Sequence, residues 1–518
     1  MRETADFLTF DEFFRHWAAV RGDAAAYQEG DRLTTFAELE ERSRRIAGML
    51  RSLGIRKGER IAWIGKNAGI YFQMFYAAAR IGVVMAPISW RLAPAEMAYI
   101  LKDTGAVLIL AGHGFDDVAR ALGAEIPTIR AVLDQDALSA LIDATAPVDV
   151  VAAGPDDAVL QLYTSGTTGH PKGAILSQRN FFGLRKPGLD AGLPWAEWTP
   201  DEAVLVCMPC AHIGGTALGV MGFSGGVRSI IQPEFSGEGA LRGVADGATR
   251  FFIVPAALQM LIEHPNAVNT DFSRLKYVLY GAAPIPLDLL REAVKAIPNA
   301  GFMQCYGMTE TTGTICQLPP EDHDMAGTPR MRSAGKAVPG SELRIVDTEG
   351  REVPRGTVGE VETRSSNNML GYWNLPEATA KTLSADGWVR TGDAAWMDED
   401  GYIFIQDRIK DMIISGGENV YPAEVESAIY GHPDIAEVAV IGVPDAKWGE
   451  AVKACVVPKP GHSIDPAEVI AWARTRIAGF KVPKSVDVIE ALPRNPAGKI
   501  LRRTLREPYW ANMERQVN

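Results

Sequence analysis

An α/β fold with mainly parallel sheets is predicted by three features of the chain. Its 518 residues exceed what one ordinary hydrophobic core can serve, so a large domain with a smaller partner or several subdomains is expected. Short apolar runs alternate with helical stretches, the texture of βαβ units. Most of those runs end directly in a Gly, Ser or Pro turn, where α/β folds place their ligands.

The first clear element is an amphipathic helix. Thr35 and Glu38 have capping-box spacing, Leu39, Ile46, Leu50 and Leu53 share one face, and Gly54 is a stop. Buried strands are expected at 60–64, 106–110, 158–162, 203–206, 251–254 and 277–280. Between about 335 and 405 polar alternation and hairpin-like turns such as Asp347-Thr348-Glu349-Gly350 predict a β-rich subdomain. The charged stretch Asp407-Arg408-Ile409-Lys410-Asp411 precedes a new α/β pattern, with a strand around Val438–Ile441 and a helix near 466–477. A boundary near Lys410 divides the chain into 1–409 and 410–518.

Composition narrows the function classes. With 47% hydrophobic and 22% charged residues this is an ordinary globular composition. A net charge of −12 argues against nucleic acid as a partner. Five scattered cysteines do not suit a secreted disulfide framework, and no apolar run is long enough to cross a membrane. A soluble, cytoplasmic protein is expected. Cys207 and Cys210 form a lone CxxC without the second pair that a zinc site needs.

The most informative segment is Tyr163-Thr164-Ser165-Gly166-Thr167-Thr168-Gly169-His170-Pro171-Lys172-Gly173, directly after a strand. Glycines let backbone N–H groups converge on anionic oxygens, hydroxyls donate further bonds, and Lys172 adds a mobile positive charge. It lacks the Gly-Lys-Ser/Thr of a Walker A loop, yet its chemistry is that of a polyphosphate cradle.

This loop resembles the phosphate-binding signature of the adenylate-forming superfamily, which holds acyl-CoA synthetases, luciferases and peptide-synthetase adenylation domains. Tyr306-Gly307-Met308-Thr309-Glu310, Thr391-Gly392-Asp393, Asp407-Arg408-Ile409-Lys410-Asp411 and Arg494-Asn495-Pro496-Ala497-Gly498-Lys499 are similar to its remaining core motifs, in the same order, so the resemblance covers essentially the whole chain. It implies an N-terminal domain of two doubly wound sheets, a small mobile C-terminal domain, and a hinge at Lys410. The implied activity is an acid:CoA ligase using ATP, Mg²⁺ and coenzyme A on a small-molecule carboxylic acid, with an acyl-adenylate intermediate and release of pyrophosphate.

The resemblance also implies residue roles. Lys499, Glu310, Lys172 and His212 would be catalytic, with Glu310 and Thr167 holding Mg²⁺. ATP or AMP would meet Thr164, Ser165, Gly166, Thr167, Thr168, Gly169, Lys172, Gly281, Ala282, Ala283, Tyr306, Gly307, Thr309, Asp393, Arg408 and Lys499. A hard carboxylate such as Glu310 suits Mg²⁺ on phosphates. Asp393 is a short acceptor for ribose hydroxyls, and the lysine opposes charge building at the transferring centre. Gly416, Gly417, Trp448, Phe480 and Arg91 would serve CoA. His212, Gly214, Phe252, Gly281, Cys305, Gly307 and Met308 would line the acyl pocket, where the small Gly214, Gly215, Ala282 and Gly307 leave room for a chain or ring.

No acidic residue is placed to greet an amino group, so an apolar acid is expected. A medium- or long-chain fatty acid comes first and an aryl acid second. A protein that loads a separate carrier domain would share every ATP motif, and no fused carrier is expected because the chain ends soon after Lys499. A luciferase-like oxidase and a catalytically dead sensor are further rivals, although the motif residues are intact. A homodimer and peripheral membrane contact through Phe181–Lys186 stay open.

Overall fold

The computed structural model describes residues 2–149, 153–164, 171–323, 328–494 and 498–511. Two large sheets carry the first four-fifths of the chain. One has nine strands, in the spatial order 336–337, 313–318, 301–308, 277–281, 250–253, 203–206, 228–231, 25–29 and 32–35. Its central strands run parallel. The other has seven, in the order 371–372, 172–177, 158–164, 84–88, 60–64, 108–111 and 131–134, again with a parallel centre.

The layers meet on helices that must therefore be apolar. The helix Gly69–Ile81 is buried from Gly69 through Arg80, as a helix apolar on all sides should be. Phe10, Phe13, Phe75, Tyr76, Phe182 and Phe223 share the same core. Within it Arg80 is completely buried, and Asp11 at 2.7 Å and Glu40 at 3.1 Å balance its charge.

Most expected elements are present. The helix Phe36–Ser52 starts at Thr35 with both capping-box hydrogen bonds formed and ends before Gly54, whose φ is +72°. The strands at 60–64 and 203–206 match residue for residue. The run at 106–110 forms a strand only from Leu108 to Ala111, after the left-handed turn at Gly105. The helix expected near 466–477 runs from Pro466 to Arg474.

The β-rich texture resolves into a four-stranded antiparallel sheet of Glu342–Val346, Gly359–Arg364, Val389–Met397 and Ile403–Arg408. Residues 336–337 belong instead to the nine-stranded sheet. After the turn Ile409–Asp411, a five-stranded sheet built on the long hairpin Ile435–Asp445 and Gly449–Pro458 packs against the helices Pro422–Ile429 and Pro466–Arg474.

Phe181–Lys186 offers no membrane face through Phe182. That ring is 1% exposed and lies 4.7 Å from Phe13 and 4.9 Å from Phe10, because the first helix of the chain covers it. No helix among the described residues is long and apolar enough to cross a membrane.

Candidate active site

A cleft of about 2670 Å³ opens where the strand ends of both large sheets meet the C-terminal residues 498–503. Thr164 and Lys172 face each other across antiparallel strands at its edge; Ser165, Gly166, Thr167, Thr168, Gly169 and His170 lie outside the described residues. Glu310 sits in the single turn Thr309–Thr311 that ends strand 301–308, and is 5% exposed. Its Oε1 accepts hydrogen bonds from Tyr372 Oη at 2.6 Å and Thr164 Oγ1 at 3.4 Å. The Lys172 ammonium lies 5.0 Å from the centre of the Tyr372 ring.

Tyr372 thus joins two motifs that sequence reasoning had kept separate, and it was missed. Its only local signal is a Gly-Tyr-Trp run. What places it is a two-residue strand, Gly371–Tyr372, paired with Ile175 and Ala174.

No group of three or more His, Cys, Asp or Glu side chains that could hold a metal occurs among the described residues. A cation at Glu310 would therefore draw most of its oxygens from phosphate and water. That matches Mg²⁺, which keeps several waters and is held by one or two carboxylates with substrate phosphates.

Asp393 is the second fixed carboxylate, 6% exposed. Strand register sets Asp393 directly opposite Arg408, giving an ion pair of 2.7 Å between Oδ1 and Nε. Its Oδ2 accepts from Tyr306 Oη at 2.7 Å. Burial, with Asp393 alongside, raises the Tyr306 pKa, so the phenol remains a donor.

Lys499 reaches the same cleft. Desolvation between the cleft walls lowers its pKa to about 8, the charges of Arg408 and Lys410 push the same way, and Asp393 and Glu310 partly oppose them. Lys410, in the turn Ile409–Asp411, is also shifted down by burial. Burial together with the Lys499 charge lowers His212 to about 4, so it is neutral at ordinary pH. His212 also caps the helix Ile213–Ser224, its Nδ1 accepting from Gly214 N–H at 3.3 Å.

Gly214, Gly281 and Gly307 all line the cleft, and each lies close to neighbouring atoms on its Cβ side. A Cβ on Gly281 would stand 2.1 Å from the Cys305 carbonyl oxygen, and one on Gly307 would stand 1.6 Å from that of Gly313. Both are small because neighbouring backbone lies against them, and the space they leave is already filled on that side. At Gly214 the Cβ would meet the Phe252 ring at 2.7 Å, so glycine there lets the ring approach the helix closely. Ala282 takes a left-handed φ of +65°, which costs roughly 1–2 kcal/mol in a non-glycine residue. With Ala283, Cys305 and Met308 it lines the cleft.

The five residues expected at CoA do not form one group. Gly416 donates its N–H to the Trp448 carbonyl at 2.7 Å, has φ +63°, and leaves no space for a Cβ beside the indole; Gly417 follows at φ +86°. Trp448 and Phe480 are 39% and 41% exposed. Only Arg91 of the five lines the cleft, its guanidinium 3.8 Å from Glu234.

Known proteins match the chain over most of its length. Residues 14–373 match the AMP-binding enzyme family and residues 424–499 match the AMP-binding enzyme C-terminal domain. The chain is 41% identical over 492 residues to a fatty acid–[acyl-carrier-protein] ligase, ScoC, of Streptomyces coeruleorubidus, covering 94% of each chain. It is 38% identical to a feruloyl-CoA synthase of Amycolatopsis sp, covering 95% of this chain and 97% of the other. The crystal structure of ATP-bound MatB from Rhodopseudomonas palustris superposes with a TM-score of 0.87 at 31% identity, over 97% of this chain and 99% of that one. With its fold and more than half its length matched, the chain belongs to the adenylate-forming, AMP-binding enzyme family, which works with ATP and Mg²⁺ and whose acid:CoA ligases also use coenzyme A.

Proposed function

We propose that the protein is an ATP-dependent acid:CoA ligase acting on an apolar carboxylic acid, with a medium- or long-chain fatty acid as first candidate and an aryl acid as second. The observation that carries this reading is the convergence of Lys499, Asp393, Arg408 and Glu310 on one cleft.

In the first half-reaction the acid's carboxylate oxygen attacks the α-phosphorus of ATP, forming acyl-AMP and releasing pyrophosphate. Lys499 places an ammonium where negative charge builds, and Lys172 and the hydroxyl of Thr164 face the leaving phosphates. Asp393 and Tyr306 hold the ribose, and Arg408 keeps the Asp393 carboxylate oriented. Glu310 would hold Mg²⁺, which when bound would supply charge neutralisation on the phosphates. His212, being neutral, borders the acyl carboxyl group without adding a charge that would compete with Lys499.

In the second half-reaction the CoA thiol loses its proton and its sulfur attacks the acyl carbon, and AMP leaves. Trp448 and the glycines at 416 and 417 stand outside the cleft wall in this conformation. Turning about Lys410 would bring them to it, one face serving each half-reaction. Trp448→Ala is therefore expected to slow acyl transfer to CoA more than adenylation, measured by single-turnover assays of each half.

Tyr372 positions Glu310. Tyr372→Phe removes a hydrogen bond to an ionised group, worth about 1.5–3 kcal/mol. Adenylation should fall about tenfold or more, with a higher Mg²⁺ concentration needed for half-maximal rate. A rate loss with an unchanged Mg²⁺ requirement would place the role of Tyr372 elsewhere.

The similarity to an acyl-carrier-protein ligase supports a second reading, in which the acyl group passes to a carrier's phosphopantetheine thiol. The test is pyrophosphate release across fatty, aryl and amino acids, run alone, with CoA and with a holo acyl carrier protein. Turnover that needs CoA establishes the first reading, and turnover that needs the carrier establishes the second.

A further inference from the structure

Sheet register locates the far side of the acyl region. Gly281 pairs with Cys305, and Cys305 pairs with Gln317, so the three side-chain positions lie in one row on one face. All three line the cleft. Gln317 is thus two strand spacings, about 10 Å, from Gly281. Its Oε1 accepts a hydrogen bond from the Trp195 indole N–H at 3.1 Å, and Trp195 lines the same cleft.

Trp195 is held in place from behind. Arg250 donates to the Trp195 carbonyl at 2.6 Å and to the Glu197 carbonyl at 2.7 Å. The same guanidinium pairs with Glu202 at 2.6 Å, both side chains being almost fully buried, and lies 3.8 Å from the centre of the Trp198 ring. Two residues along the same strand, Phe252 lies against Gly214, so one strand face carries both the ring at the near wall and the clamp behind the far one. Leu184, Gly188 and Pro339 add apolar surface to the lining of the same cleft.

We propose that Trp195, fixed by Gln317 and by the Arg250–Glu202 pair, is a specificity-determining residue that closes the acyl pocket at its far side. It limits efficient substrates to acids whose apolar part spans about one ring with a short side chain, or a medium-length alkyl chain, reaching on the order of 10 Å beyond Gly281. This rests on the proposed acid-activating function and narrows its substrate class: the indole offers a flat face to an aryl group or a folded-off end to an alkyl chain, and a longer chain meets it.

The experiment measures kcat/KM for pyrophosphate release with hexanoate, decanoate, hexadecanoate and a hydroxycinnamate, for the wild type, Trp195→Ala and Trp195→Phe. In the wild type hexadecanoate should be the poorest of the three fatty acids. In Trp195→Ala the ratio of hexadecanoate to hexanoate should rise about tenfold or more. Trp195→Phe, which keeps most of the bulk, should stay near the wild-type ratio. An unchanged rank order in a Trp195→Ala protein that melts within a few degrees of the wild type overturns the proposal and leaves the acid-activating function standing. If that variant does not fold, Trp195→Phe and Gln317→Ala decide: a ratio equal to the wild type in Gln317→Ala, where the indole loses its partner, also overturns it. No pyrophosphate release by the wild type with any acid would overturn the underlying function instead.

Discussion

Replacing Lys499 with Ala is expected to lower the rate of acyl-adenylate formation by about 10²- to 10³-fold, the size of effect seen when one preorganised charge-stabilising donor is removed. Conversion of supplied acyl-adenylate to thioester should survive, because that step develops no charge on a phosphate under attack. Equal loss in both halves would contradict the role. The geometry adds a pH signature. Desolvation within the cleft brings the Lys499 pKa down to about 8, so the ammonium is present below that pH and is lost as pH rises through it.

The kcat/KM for ATP, which reports the free enzyme, should therefore decline above about pH 8. Lys499→Arg should move that limb upward, since a guanidinium does not titrate in this range. His212, already neutral with a pKa of about 4, should contribute no acid limb between pH 5 and 8. An alkaline limb unmoved in Lys499→Arg would assign it to another group.

Replacing Arg250 with Ala should have the largest effect on stability. Its side chain and that of Glu202 are 3% and 2% exposed, so solvent screens the pair little. Removing one partner of such a buried pair leaves a charge uncompensated and costs about 3–5 kcal/mol. Lys276, 3.0 Å from the other oxygen of Glu202, offsets a part of this, so the lower end is expected. The double variant Arg250→Met with Glu202→Leu removes both charges and should recover much of the loss. Guanidinium unfolding, compared among the three proteins, checks both statements. A single Arg250→Ala variant as stable as the wild type would show that Glu202 is satisfied without it.

The same variant links stability to substrate choice. Arg250 holds the carbonyls of Trp195 and Glu197, so its loss should also loosen the end of the acyl pocket. The ratio of long-chain to short-chain turnover should then shift in the direction expected for Trp195→Ala, by a smaller factor.

Much of this protein was legible in the chain because its information is local. The capping box at Thr35 and Glu38 depends on residues three apart, and an apolar run such as 60–64 must be buried whatever surrounds it. Motif order alone pointed to the family, and Lys172, Glu310, Asp393, Arg408 and Lys499 all line one cleft.

Pairings between distant segments were not legible, since nothing local encodes strand register. Tyr372 meets Glu310 across 62 residues, and Trp195 meets Gln317 across 122; neither tyrosine nor tryptophan carries a mark of its partner in its own neighbourhood. The same limit applies to Gly281 and Gly307, which line the cleft and whose missing Cβ also makes room for the carbonyls of Cys305 and Gly313. A missing Cβ says that something lies close, and only the packed strands say whether that something is a ligand or the protein's own backbone.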